Sequence, residues 1–226
     1  MESHCYLVIE NKHAIVIDPG DAELASTVIN EKGLQVDFGI LTHEHCDHIY
    51  GCTELQEELG IPFYASFACD RNMRSVQKNF SRYYEAFVSV QTKIDTEKEK
   101  MMSAFTAKAD RTFDGVLLLE WKGHEFYLRE TPGHSPGSIC ILTDDWKLFA
   151  GDTLLAEDLT SFRFTGGSRE KLMEETLPWL KTLPAETVVF PGHGPSFRLG
   201  ERLDKPIVEE RKHKGETNYE QSRKVS

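Results

Sequence analysis

At 226 residues, with 39% hydrophobic and 28% charged residues, the chain can bury a substantial core and matches the make-up of ordinary globular domains, which excludes disordered and fibrous classes. A net charge of −11 argues against general nucleic-acid binding, because phosphate backbones reward clustered lysine and arginine. No run approaches the roughly 18 apolar residues of a membrane span, the chain opens without a secretory pattern, and its five cysteines include no Cys-x-x-Cys pair, so the expected setting is a reducing cytoplasm with neither membrane nor disulfide framework.

In chain order, Tyr6–Glu10 and Ala14–Asp18 read as two short strands joined by a polar turn at Asn11-Lys12. Ala22–Lys32 has helical spacing and stops at Gly33, and the run from Asp37 to Thr42 is a buried strand leading into a histidine cluster. A helix over Ile49–Leu59, closed by Gly60, and a strand over Ile61–Ala65 continue the layered pattern. From 70 to 110 the chain has no glycine or proline, and Phe80, Tyr83, Tyr84 and Phe87 fall at spacings that predict one helical face. Residues 70–112 are therefore expected to form a helical insertion, either a lid over the site or an interface in a homo-oligomer. Between Asp70 and Arg111 nine basic residues face six acidic ones, so this segment is about +3 on an acidic body.

A second hairpin is predicted from Val116–Trp121 and Glu125–Arg129, turning at Lys122-Gly123. Strands over Ser138–Thr143 and Lys147–Ala150, an amphipathic helix over Arg169–Leu183 and a strand over Thr187–Phe190 complete the set. Residues 197–226 read as a C-terminal tail, with its basic stretch from Arg202 to Lys224 expected to be a solvated or frayed end. Two sheets faced by outer helices make an α/β fold of the αββα sandwich type, with residues 1–226 as one domain.

The chemistry gathers in short loops after predicted strands. His43, His45 and His48 lie in Thr42-His-Glu-His-Cys-Asp-His48, His134 in Thr131-Pro-Gly-His-Ser135, Asp152 in Gly151-Asp-Thr153 and His193 in Pro191-Gly-His-Gly194. Imidazole and carboxylate donors suit Zn²⁺ first, with Fe and Mn²⁺ as further options, and seven of them (with Asp47) exceed what one tetrahedral ion needs. Two divalent transition-metal ions are expected, with Asp152 bridging them.

These motifs, in this order, resemble the metallo-β-lactamase superfamily, and most of all its glyoxalase-II-like branch, over about residues 6–69 and 113–195. The resemblance implies a metallo-β-lactamase-type sandwich in which His43, His45 and His134 hold one metal and Asp47, His48 and His193 the other. It also implies that Asp18, in Asp18-Pro-Gly20, orients a ligand ring from behind. Two departures stand out: Glu44 takes the middle place where the branch commonly has histidine, and only about 30 residues follow His193, too few for a helical glutathione-binding domain.

The remaining histidines, His4, His13, His124 and His213, are expected to be surface or capping residues, and Cys46 to face away from the metals. The expected reaction is hydrolysis of a small thioester or ester by a hydroxide held between two ions, with Asp47 and Asp152 as the catalytic carboxylates. A lactonase or small phosphodiesterase is the nearest alternative, and a mononuclear-iron persulfide dioxygenase the alternative from a different class. Phe80, Tyr83, Tyr84 and Phe87 would line an apolar wall for a small-molecule substrate, and Arg82, with Arg71, Arg74 or Lys78, would meet an anionic group.

Overall fold

Two side-chain-bearing residues held at positive φ, Asn11 (48°) and Lys12 (70°), turn the chain tightly between β1 (Tyr6–Glu10) and β2 (His13–Ile17). The computed structural model describes residues 3–92 and 102–208. Helix α1 (Ala22–Lys32) begins where the Asp21 side chain accepts from Leu24 N at 2.9 Å and ends at Gly33, whose φ of 58° closes a left-handed cap. Strands β3 (Gln35–Ile40), β4 (Phe63–Ser66) and β5 (Arg111–Phe113) then add in parallel, giving a first sheet in the order β1-β2-β3-β4-β5.

The second sheet runs β11-β10-β9-β8-β7-β6. Its strands are β6 (Val116–Trp121), β7 (His124–Glu130), β8 (Ile139–Thr143), β9 (Lys147–Gly151), β10 (Val188–Pro191) and β11 (Phe197–Arg198). The pair β9 and β10 is parallel and the others are antiparallel.

Strand alternation explains the layers. In β2, Ile15 and Ile17 point between the sheets while Ala14 and Val16 point outward onto α1 and α3 (Cys52–Leu59). In the second sheet Ile139, Ile141 and Phe149 face inward, whereas Cys140, Leu148 and Ala150 meet outer residues Leu172, Leu177 and Leu180. Helix, sheet, sheet and helix thus enclose three apolar layers, and strands covered on both faces become nearly continuous apolar runs. Among the described residues no helix is long and apolar enough to cross a membrane.

Several local expectations are corrected. The helix predicted over Ile49–Leu59 starts earlier, at Cys46, and breaks into α2 (Cys46–Ile49) and α3. The cause is Gly51, whose N–H bonds Pro19 O at 2.7 Å and whose absent Cβ would lie 2.6 Å from that oxygen, so the Asp18-Pro-Gly20 loop passes through the break. The single aromatic-faced helix is absent as well: α4 (Phe67–Met73) packs Cys69 and Met73 into the core, a turn follows, and a short 3-10 helix (Ser81–Tyr83) leads into α5 (Tyr84–Thr92). Phe80 sits at φ 69° before that turn, so Phe80 and Tyr84 do not share one helical face. The Phe87 side chain and residues 93–101 lie outside the described residues.

Arg74 is engaged by Asp70 through two hydrogen bonds of 2.9 and 3.0 Å. The helix predicted over Arg169–Leu183 opens with α6 (Arg169–Lys171), widens into a π-helical turn over Leu172–Thr176 and ends in α7 (Leu177–Leu180), where Pro178 supplies no N–H. The chain from Arg202 to Val208 is not a solvated end. Helix α8 (Leu199–Leu203) packs with Ile207 and Val208 on the outer core, and buried Arg202 donates to the carbonyls of Leu155, Asp158 and Pro206. Residues 209–226, including His213, lie outside the described residues.

Candidate metal centre

The ends of β3, β9 and β10, with the loop between β7 and β8, bring every motif to one rim of the sandwich. His43 and His45 follow β3, Asp47 and His48 occupy the first turn of α2, Asp152 follows β9 and His193 follows β10. Gly151 makes this possible, since at φ 48° its missing Cβ would fall 2.4 Å from Thr42 Oγ1. At Gly192 a Cβ would fall 2.1 Å from Asp152 Oδ1.

Three ring nitrogens converge first: His45 Nδ1 lies 3.1 Å from His43 Nε2 and 2.9 Å from His134 Nε2. Burial, reinforced by the neighbouring rings, lowers the pKa of His45 to about 3 and that of His43 well below the ordinary value, and burial likewise lowers His134. Neutral imidazoles are the form that ligates metals. A second group sets His193 Nε2 3.3 Å from Asp47 Oδ2 and 3.4 Å from His48 Nε2. In each group the ligand atoms lie within 4.8 Å of one another.

Asp152 stands between the two. Its Oδ1 is 3.4 Å from His48 Nε2, and its Oδ2 is 3.6 Å from His134 Nε2 and 3.5 Å from His193 Nε2. Burial opposes ionisation of Asp47 and Asp152, but the neighbouring imidazoles together outweigh it, His48 foremost, with His193 beside Asp47 and His134 and His43 beside Asp152, bringing Asp47 down to about 2 and Asp152 well below the usual range. His48 is raised in turn, against its own burial, by Asp47 and Asp152. Asp152 Oδ1 is buried without a hydrogen-bond partner, and three neutral imidazoles cannot satisfy one another through shared protons. An orphaned carboxylate oxygen beside converging ring nitrogens fits divalent cations, and all seven predicted donors belong to this rim.

Behind the rings, Asp18 is held at φ 51°. Its Oδ1 accepts from Thr42 N at 2.7 Å, and its Oδ2 accepts from Thr42 Oγ1 and from His48 Nδ1, the latter at 3.0 Å. His43 Nδ1 donates to Thr42 Oγ1 at 3.1 Å and His134 Nδ1 to Ser161 O at 3.1 Å, which aims both Nε2 atoms at the centre. Both Asp18 oxygens are thus hydrogen-bonded to the loop that carries the rings.

The sequence reading missed three participants. Glu44, 1% exposed, points away from the rings its neighbours provide and accepts from Asn72 Nδ2 at 2.7 Å and Ser135 Oγ at 2.8 Å, so it ties the His43–His48 loop to α4 and to the His134 loop. The alternation of a His-x-His turn was the available signal. Phe164 sets its ring 4.7 Å from His45 and 6.0 Å from His134, with Phe80 against it at 4.6 Å and Tyr83 against Phe80 at 5.6 Å. A lone aromatic in a loop gave no signal. His4, expected to be a surface histidine, donates from Nε2 to Gly194 O at 2.7 Å.

Of the remaining predicted residues, Tyr84 lies near enough for the Asp47 charge, after burial, to raise its hydroxyl pKa, whereas Tyr83, Arg71, Lys78 and Arg82 are exposed. Cys46 is buried and belongs to neither group of donors among the described residues.

The sequence profile of the metallo-beta-lactamase superfamily matches residues 1–193. The chain is 29% identical over 198 residues to the probable metallo-hydrolase YqgX of Bacillus subtilis (strain 168), covering 86% of each protein. It is 26% identical over 212 residues to hydroxyacylglutathione hydrolase GloC of Haemophilus influenzae, covering 92% of this chain and 93% of that protein. Among solved structures it is similar to the BLEG-1 B3 metallo-beta-lactamase, with a TM-score of 0.72, 27% identity and coverage of 90% and 92% of the two chains. It is also similar to TTHA1623 in a di-iron-bound form, with a TM-score of 0.71, 26% identity and coverage of 89% and 91%.

Proposed function

The chain belongs to the metallo-beta-lactamase superfamily, and from that premise we propose that it hydrolyses a small thioester or ester at a centre for two transition-metal ions. His43, His45 and His134 would hold one ion, Asp47, His48 and His193 the other, and Asp152 would contact both. The observation that carries this reading is the reach of Asp152 Oδ2 to His134 on one side and His193 on the other. Divalent ions bound there would act as Lewis acids on a carbonyl oxygen and lower the pKa of water from 15.7 towards about 7. Zinc suits the nitrogen-rich donor set, and the di-iron form of TTHA1623 supports iron as the alternative.

The chain's own residues supply the rest. Asp47, ionised at neutral pH, accepts a hydrogen bond from the attacking water and orients it, while Asp18 keeps the ring nitrogens aimed inward. Phe164 and Phe80 exclude water beside the first group of imidazoles and receive the apolar part of the substrate. Tyr83 and Arg82 extend that wall outward, as the substrate-facing part of the segment from Phe80 to Tyr84.

A hydroxyacylglutathione is the leading thioester, supported by GloC, which matches this chain along 93% of its own length. The short stretch after His193 therefore does not argue against such a substrate. The test is steady-state turnover of the metal-loaded protein on S-lactoylglutathione, a simple aryl ester, a lactone and bis-p-nitrophenyl phosphate. Thioester or ester turnover well above the other two supports the reading. Activity confined to the phosphodiester, or oxygen uptake with a persulfide and no hydrolysis, overturns it.

A further inference from the structure

The loop that carries His193 is held from outside by the first described residues of the chain. Tyr6 Oη donates to Pro191 O at 2.6 Å, His4 N to Gly192 O at 2.8 Å and His4 Nε2 to Gly194 O at 2.7 Å. One residue earlier, Ser3 Oγ donates to the backbone carbonyl of Asp47 at 2.5 Å. Residues 3–6 therefore grip both flanks of the second group of donors, the carbonyl behind Asp47 and the three carbonyls around His193.

Gly20 is shaped to this arrangement: a Cβ there would fall 2.0 Å from Asp47 O and 2.6 Å from Ser3 Oγ, so the grip on Asp47 exists only because that side chain is missing. Aromatic contacts seat the other end, with the Tyr6 ring 5.3 Å from Phe149 and 5.7 Å from Phe190. Strand β1 is the edge of the first sheet, whereas Phe149 and Phe190 belong to the second. The segment thus crosses from one sheet to the other at the rim where the donors meet. By contrast, the first group is steadied by Thr42 and Ser161.

We propose that residues Ser3–Tyr6 are a positioning strap for the second metal, and that His4 is its central residue. This rests on the two-ion reading above. The donors Asp47 and His193 come from distant parts of the chain, and their separation has to be right to a fraction of an ångström before an ion gains from both. The strap sets that separation by bonding backbone carbonyls next to each donor, so its loss loosens one ion and spares the other.

The experiment is stepwise zinc binding, measured by competition with a chromophoric chelator, on the wild type, His4→Ala, His4→Gln and the Ser3→Ala/His4→Ala pair. The melting temperature of each metal-free protein is recorded alongside. Disturbing residues that orient ligands typically costs about 10- to 100-fold in metal affinity. His4→Ala is expected to weaken the second binding step about tenfold and leave the first within about twofold, and the double variant to weaken the second step further. His4→Gln, whose amide keeps a donor at the Nε2 position, is expected to restore most of the loss.

Equal weakening of both steps, unchanged binding in the double variant, or failure of His4→Gln to rescue a defective His4→Ala each overturns the strap. A wild type that never takes a second ion overturns the two-ion reading itself and the strap with it. That result is distinct, because it appears before any variant is made.

Discussion

Asp18 Oδ2 and His48 Nδ1 lie 3.0 Å apart, with both side chains almost wholly buried. The same carboxylate receives Thr42, whose hydroxyl in turn receives His43 Nδ1, so one acidic residue fixes the orientation of a ring in each group of donors. Asp18→Asn places an amide donor where a donor already points. We expect metal affinity to fall about 10- to 100-fold with the fold retained, as is usual when a residue orienting a ligand is lost. Chelator competition and circular dichroism measure the two effects, and unaltered affinity would remove Asp18 from the site.

Asp152 and Cys46 make a contrasting pair: Asp152 lies within 3.6 Å of His48, His134 and His193, whereas Cys46 belongs to no candidate metal group among the described residues. Asp152→Ala is expected to abolish hydrolysis and to reduce bound metal below two ions per chain. Cys46→Ala should retain metal and turnover and lower stability by about 1 kcal/mol, the scale of a small cavity. Elemental analysis after gel filtration distinguishes them, and metal lost from the Cys46 variant contradicts the assignment.

The Phe164 ring, set against His45 and Phe80, predicts a dependence on acyl length. Trimming it to alanine removes apolar surface that a longer acyl chain would cover. At about 25 cal/mol per Å², some 50 to 60 Å² of lost contact corresponds to about 1.4 kcal/mol, or tenfold in kcat/KM. Phe164→Ala should therefore slow octanoyl esters about tenfold and leave acetyl esters nearly unchanged. Equal slowing of both would assign Phe164 to holding His45 instead of contacting substrate.

Asp37, on β3 of the first sheet, accepts from Trp121 Nε1 at 2.8 Å and from His13 Nδ1 at 2.9 Å, and lies 3.7 Å from Lys122 Nζ, so it joins the first sheet to the second hairpin. Burial works against its charge, but the Trp121 and His13 hydrogen bonds outweigh it and hold the carboxyl below its ordinary range. A pKa lowered by folding stabilises the protein above the unfolded value, near 3.9, and that contribution fades as pH falls through the folded value. Asp37→Asn is expected to cost about 1 kcal/mol at pH 7, with the difference from wild type closing towards pH 3. Urea titrations of both metal-free proteins at the two pH values provide the check. A gap that stays constant with pH would mean the carboxylate charge contributes nothing.

What could be read from the residues was what local chemistry decides. Gly33 and Gly60 ended their helices as expected, and Asn11-Lys12 and Lys122-Gly123 turned their hairpins, because a positive φ is a property of the turn itself. The seven candidate donors, which the fold brings to one rim, stood out because their residue types and close spacing are local features of short loops, and Asp18 because its motif accompanies them.

What could not be read depends on partners far away in the chain. Phe80 sits in a left-handed conformation beside Asn79, whose side chain bonds the carbonyls of Met73 and Phe105 and the backbone of Ser81. The break at Gly51 is imposed by Pro19, and the burial of Arg202 by carbonyls 44 and 47 residues upstream. His4 answers to Gly194, 190 residues on.

Each group of donors takes members from both halves of the chain, with His45 meeting His134 across 89 residues and His48 meeting His193 across 145. An ion seated in either group would be a cross-link as well as a reagent, closing a loop that the unfolded chain leaves open. A ligand bound only by the folded state at a hundredfold excess over its Kd adds about 2.7 kcal/mol of stability, a large fraction of what a domain possesses. Removing the ion would then lower stability together with activity, and raise the share of unfolded chain open to proteolysis.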